Sequence, residues 1–182
     1  MVRGAKQQPF NSKWVLLVPV ALAVFAIGVG IDNLRPGTNE NTLRDMLGSH
    51  LAAGITGGFF PAALLIASLA WSWHAPAVRV AVTLAILFLY LGGLQTWMGL
   101  RGGWVNQSML SLLGVAGALV YLAALTASRR QPLVSGPLAM AGAVAMTVIG
   151  WWTLVLPVIA LMLGIFGLRR AQQFAGESHA LS

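Results

Sequence analysis

"LVSGPLAMAGAVAMTVIGWWTLVLPVIALMLGIFGL", Leu133–Leu168, is the apolar run whose reading sets the number of membrane spans in this chain. As a single helix its 36 residues would extend ~54 Å at 1.5 Å per residue, against a hydrocarbon core of about 30 Å. A reversal near Gly150 to Thr153 predicts two short spans instead, at 133–150 and 152–168. Trp151 and Trp152 favour the reversal, because amphipathic indole rings prefer the headgroup level and one long helix would hold them at mid-bilayer. The competing reading is one long kinked helix.

Four further apolar segments precede this run, at about 14–31, 49–73, 80–100 and 107–127. Each satisfies the requirement of roughly 20 mainly apolar residues for a transmembrane helix. The fold class expected is therefore an all-α, polytopic helical membrane protein with six transmembrane helices, or five if the last run does not turn. Composition agrees: 58% of the 182 residues are hydrophobic and 8% charged, where soluble domains carry about 25% charged residues. The mean hydropathy is +0.80. No second soluble domain, low-complexity segment or internal repeat is evident. The expected organisation is an N-terminal tail over 1–13, a bundle over 14–168 and a C-terminal tail over 169–182.

Charge supplies the orientation. With the N-terminus cytoplasmic and six spans, Arg3, Lys6, Lys13, Arg79, Arg129, Arg130, Arg169 and Arg170 fall inside, leaving Arg35, Arg44 and Arg101 outside. That asymmetry follows the positive-inside rule, whereas five spans would move Arg169 and Arg170 outside and nearly abolish it. Both termini are expected in the cytoplasm, in a cell (inner) membrane. Trp14, Trp71 and Trp73 then mark the inner interface and Trp97, Trp104, Trp151 and Trp152 the outer one. The basic N-terminal residues ahead of an apolar segment resemble a signal peptide, but the segment is long for an h-region and is read as an uncleaved first span.

Packing in lipid relies on close approach through small residues and on interhelical hydrogen bonds. Gly54 and Gly58 in the second span, Gly92 and Gly99 in the third, and Gly114 and Ala118 in the fourth are the expected packing positions. Polar residues accompany them: His50 and Thr56, then Gln95 and Thr96, then Gln107 and Ser111. The simplest expectation is that these join helices to one another. The sharper one is an outward-facing polar pocket among the second, third and fourth spans that takes a small solute or a lipid headgroup. Pro19, Pro61 and Pro157 lie within apolar segments, where each removes a backbone donor and predicts a kink.

The functional expectation is a non-catalytic membrane protein, an accessory subunit or scaffold of a membrane complex, with the small-solute or lipid-binding module as the alternative. No Asp, Glu, Lys or Arg falls in the middle of a span, where proton relays and ion pathways place ionisable groups. There are no cysteines, which excludes disulfides and thiolate chemistry. No nucleophile elbow, phosphate loop or zinc spacing is present. His50 and His74 are ~36 Å apart on one helix and cannot share a haem or metal, so no cofactor or metal is expected. The partners expected are the lipid bilayer and a membrane-protein partner or second copy of the chain. Nucleic acid is not among them, since the basic residues are dispersed at segment ends.

Three of the four acidic residues, Asp32, Glu40 and Asp45, lie in the one sizeable polar stretch, "DNLRPGTNENTLRDMLGSH". It reads as a turn at Arg35–Gly37 followed by a short interfacial helix, capped by Asn41 or Thr42 with Asp45 in its first turn.

Overall fold

The computed structural model describes residues 13–35, 42–70 and 75–179, and all of their regular structure is helical. Arg3, Lys6, Glu40, Asn41, Trp71, Trp73 and His74 lie outside the described residues. The apolar run Leu133–Leu168 reverses. Helix α7 (Pro132–Met146) gives way to Gly150 at φ 61, a 3-10 turn at Trp151–Thr153 and Leu154 at φ 56, and α8 (Val155–His179) follows. Glycine has no Cβ to clash at a positive φ, which is why the turn pivots on Gly150. Thr153 closes the turn. Its hydroxyl donates to the Gly150 carbonyl at 2.8 Å and accepts from the Leu156 amide at 3.2 Å.

Five helical segments are long and apolar enough to cross a membrane: α1 (Leu17–Leu34), the rod His50–Ala70, α5 (Pro76–Arg101), α6 (Val105–Ala127) and the Val155–Gly176 part of α8. The rod consists of α3 (His50–Gly54), a π-helical stretch (Ile55–Phe59) and α4 (Phe60–Ala70). At 15 residues, α7 rises only about 22 Å. The short helix expected in the polar stretch is α2 (Thr42–Leu47), with Asp45 in its first turn. Gly48 at φ 65 separates it from α3, whose N-cap is Ser49, a cap the sequence reading passed over.

Several helix ends lie outside the apolar windows. α1 continues through Asp32 and Asn33 to Leu34, and α5 begins at Pro76, where a missing N–H costs nothing in the first turn. α8 continues through Arg169 and Arg170 to His179. Hydropathy measures the length that suits lipid, whereas Arg, Gln and Ala prolong a helix readily in water. Two of the expected proline kinks are also displaced. Pro19 and Pro157 sit in the first turns of α1 and α8, where no i→i−4 bond exists to be lost. Of these three, Pro61 lies inside a rod, two residues after the end of the π-helical stretch, and Pro137, which the sequence reading did not single out, lies inside α7.

The chain divides into two compact units, residues 1–84 and 85–182. In the first, α1 packs antiparallel on the His50–Ala70 rod, with Gly54 against Leu34 and Gly58 against Ala26. The buried face of α1 is Pro19, Ala23, Ala26, Gly30 and Asn33, spaced four, three, four and three along one helical side. Its large side chains point away: Phe25 is 72% exposed while Ala26 is 8%. Small residues inside and large apolar residues outside is the inverse of a water-soluble helix. Lipid removes the drive to hide Phe and leaves backbone proximity as the main source of packing. At the closest point a Cβ on Gly58 would collide with the Gly30 backbone and reach the Ala26 carbonyl at 2.5 Å.

In the second unit, α6, α7 and α8 form consecutive antiparallel pairs, and α6 also faces the C-terminal part of α5. On α6, Ser108, Ser111, Gly114, Gly117, Ala118, Tyr121 and Ala124 are buried, while Met109, Leu110, Leu112, Leu113 and Leu119 are exposed. Gly92 and Gly114 make room for Ile149, Gly99 for Ser108, and Gly136 for Leu168. Gly117 and Gly142 meet carbonyl against Cα, at a distance a methyl group on either would not allow.

Candidate functional site

In the second unit the polar side chains gather where α5 turns into α6. Gly103 at φ 74 makes the turn, and the Trp104 amide donates back to the Gly99 carbonyl at 2.7 Å. This brings Ser108 against the surface of α5. Its hydroxyl lies 3.3 Å from the Thr96 carbonyl and 3.2 Å from the Trp104 carbonyl, so its one proton serves either acceptor. Thr96 donates to the Gly92 carbonyl of its own helix at 2.8 Å. Ser111 lies 2.9 Å from the Gln107 carbonyl and 3.4 Å from Gln95 Oε1, joining α6 to α5. Thr96, Ser108 and Ser111 are buried, while Gln95 and Gln107 are partly exposed.

Four of the six candidate pocket residues, Gln95, Thr96, Gln107 and Ser111, thus share the facing sides of α5 and α6. At the end of this seam is an open depression of about 420 Å³ lined by Gly103, Trp104, Val105, Asn106 and Gln107. All the seam's side chains are neutral amides and hydroxyls. They can donate and accept hydrogen bonds but supply neither a nucleophile activated by a base nor a proton that moves near neutral pH.

The other two candidates, His50 and Thr56, belong to the first unit. His50 Nδ1 is 3.3 Å from the Asn33 carbonyl and donates to it in the tautomer protonated at that nitrogen. Thr56 lies in the π-helical stretch and is partly buried. The stretch has a local cause: Pro61 offers no N–H to the Gly57 carbonyl and crowds it, and the Phe60 amide reaches back five residues to Ile55. Such bulges recur at functional sites. Asn33, buried and donating from Nδ2 to the Val29 carbonyl at 2.9 Å, is a polar group here that sequence reasoning missed. Its signal was the spacing Gly30, Asn33, which continues the small-residue face of α1 beyond the apolar run.

Comparison with family models, curated proteins and solved structures finds no match. Asp45 is exposed and lies 3.5 Å from Arg44, an arrangement worth little in water. Among the described residues no three of His, Asp and Glu converge as a metal site.

A second polar cluster lies at the other end of α6, where the sequence suggested only topological charges. Arg170 Nε donates to Ser128 Oγ at 3.2 Å, and Ser128 in turn donates to the Leu125 carbonyl at 2.8 Å. The guanidinium carbon of Arg170 lies 5.2 Å from the Phe174 ring centroid, and that of Arg129 lies 5.6 Å from the same ring. The i, i+4 spacing of Arg170 and Phe174 was legible in the sequence. The approach of Arg129 was not, because it depends on the reversal between α7 and α8.

Proposed function

We propose that this chain is a non-catalytic, multi-pass component of a larger membrane assembly, with six helices crossing the inner membrane and both termini in the cytoplasm. The observation that supports it best is the use made of the polar side chains at the α5–α6 seam. Two contacts there cross between the helices, Ser108 Oγ to the Thr96 carbonyl at 3.3 Å and Ser111 Oγ to Gln95 Oε1 at 3.4 Å, while the Thr96 hydroxyl is satisfied within α5. Interhelical bonds of this kind contribute about 0.6 kcal/mol each and fix the register of helices that hydrophobicity alone leaves free to slide. The unequal distribution of Lys and Arg supports the orientation.

A second reading, binding of a small neutral solute or lipid headgroup, draws support from the open depression beside Asn106 and Gln107. Native mass spectrometry of gently solubilised membranes separates the two. The assembly reading expects the chain in a complex with another membrane protein at fixed stoichiometry. A partner-free monomer carrying a stoichiometric solute would overturn it in favour of the second reading.

A further inference from the structure

Residues 85–182 contain five arginines, and the acidic residue among them is Glu177. Four of the arginines form two pairs in sequence, Arg129 and Arg130 just after α6 and Arg169 and Arg170 on α8, and the fold brings one member of each pair together. Arg129 lies in the turn after α6 and Arg170 on α8, yet both point their guanidinium groups at one ring, that of Phe174. Arg170 is partly buried and is held by Ser128, itself buried. Two like charges gathered on one aromatic ring repel one another, and partial burial removes water that would screen them. The ring and the serine hydroxyl orient the pair without neutralising it.

An anion between the two guanidiniums resolves this. Planar guanidinium groups match phosphate oxygens by paired N–H donors, which a solitary ammonium does not. The positive end of the α7 dipole opens at the same turn, since α7 starts at Pro132. The neighbouring surface is apolar: Leu133 is 78% exposed and Val134 is 55% exposed on the first turn of α7, immediately after Arg129, Arg130 and Gln131. A phosphate bound here would be accompanied by hydrocarbon chains lying against Leu133 and Val134, which is the chemistry of a phospholipid and not of a free ion.

We propose that Arg129 and Arg170 bind the phosphate of an anionic phospholipid, with Phe174 and Ser128 orienting the two guanidiniums and Arg130 and Arg169 adding to the local positive charge. The test titrates the full chain, in a neutral detergent, with phosphatidylglycerol, with phosphatidylcholine and with inorganic phosphate. Bound lipid is counted by native mass spectrometry, and the unfolding midpoint is followed in parallel. Phosphatidylglycerol should bind one per chain and raise the midpoint, while phosphatidylcholine, whose choline cancels the phosphate charge, binds less well. The double variant Arg129→Gln/Arg170→Gln should weaken phosphatidylglycerol binding about tenfold or more, from loss of two interfacial charges. Arg101→Gln, on the opposite end of α6's partner helix, should leave it unchanged. Should the glutamine pair fail to fold, Arg129→Lys/Arg170→Lys decides: retained charge without the paired donors gives weakened binding if the proposal holds, and unchanged binding overturns it. Equal binding by wild type and a folded glutamine pair also overturns it, as does equal binding of the two lipids. Stabilisation by inorganic phosphate as large as that by phosphatidylglycerol, lost with the same arginines, would overturn the lipid and identify a soluble phosphate in its place.

Discussion

Replacing Gly58 by alanine adds one methyl group at the point where α1 and the His50–Ala70 rod touch backbone to backbone. The added Cβ would overlap Gly30 and stand 2.5 Å from the Ala26 carbonyl oxygen. Non-bonded carbon contacts settle near 3.5–4.0 Å, so the helices must part by about 1 Å. A gap of that size forfeits a quarter to a half of each dispersion contact along the face. Overpacking of this kind typically costs 1–3 kcal/mol, and the helix propensity of alanine over glycine returns about 1 kcal/mol. Because the overlap is with backbone atoms, which cannot rotate aside, the upper part of that range applies, about 2–3 kcal/mol, and a net loss of about 1–2 kcal/mol is expected. Gly28 is the internal control: it lies on α1 with nothing within 4 Å of its added Cβ, so Gly28→Ala should gain up to about 1 kcal/mol. The assay is equilibrium unfolding in mixed micelles by titrated dodecyl sulfate, followed by circular dichroism. A Gly58→Ala midpoint at or above that of wild type would refute the close approach of the two helices, whatever the behaviour of Gly28→Ala.

Tyr121 is fully buried on α6, and its hydroxyl has no hydrogen-bond partner among the described residues. An unsatisfied buried hydroxyl costs about 1–3 kcal/mol, so Tyr121→Phe should raise the same unfolding midpoint, and a lowered midpoint would show that the hydroxyl is bonded. The absence of cysteine allows topology to be read from single introduced thiols. Thr153→Cys, at the reversal, and Gln131→Cys, at the exposed turn before α7, should be labelled by an impermeant maleimide from opposite sides of the membrane. Labelling from one side would mean that α7 does not cross.

The reversal in Leu133–Leu168 was legible because length is a hard constraint: 36 apolar residues overrun a bilayer. The close-packed glycines were legible as a pattern but not as pairs, since Gly58 could have met any small residue and in fact meets Gly30. Helix ends were the least legible. Asp32 and Asn33 read as loop because they are polar, yet their backbone continues α1, and Asn33 uses its side chain on the carbonyl one turn back. The π-helical stretch was foreshadowed by Pro61, although proline alone does not say whether a rod will kink or widen. Gln95 and Ser111 read in the sequence as polar members of neighbouring spans, but the bond between them depends on the tight turn at Gly103. The cluster of Arg129, Arg170 and Phe174 was hidden for a similar reason: two residues 41 positions apart in sequence meet only after two reversals.

The short α7 raises the question of how a helix rising about 22 Å could serve as a span. In hydrocarbon, an irregular backbone is tolerable only if its polar groups are satisfied from within. The segment after α7 meets part of that condition with local bonds of its own. The amide of Thr147 donates to Val144, that of Ile149 to Met146 and that of Thr153 to Gly150, at 3.1, 3.0 and 2.8 Å. The Thr153 hydroxyl covers the Leu156 amide, which the first turn of α8 would otherwise leave open. Trp151 is exposed at this turn, as suits a ring whose body favours lipid and whose N–H favours headgroups. Because α7 packs against both α6 and α8, its backbone is flanked by protein on two sides. On the six-span proposal, the missing length would be made up by a turn that carries hydrogen bonds of its own, so that a helix of 15 residues would connect the two surfaces without a full-width apolar rod.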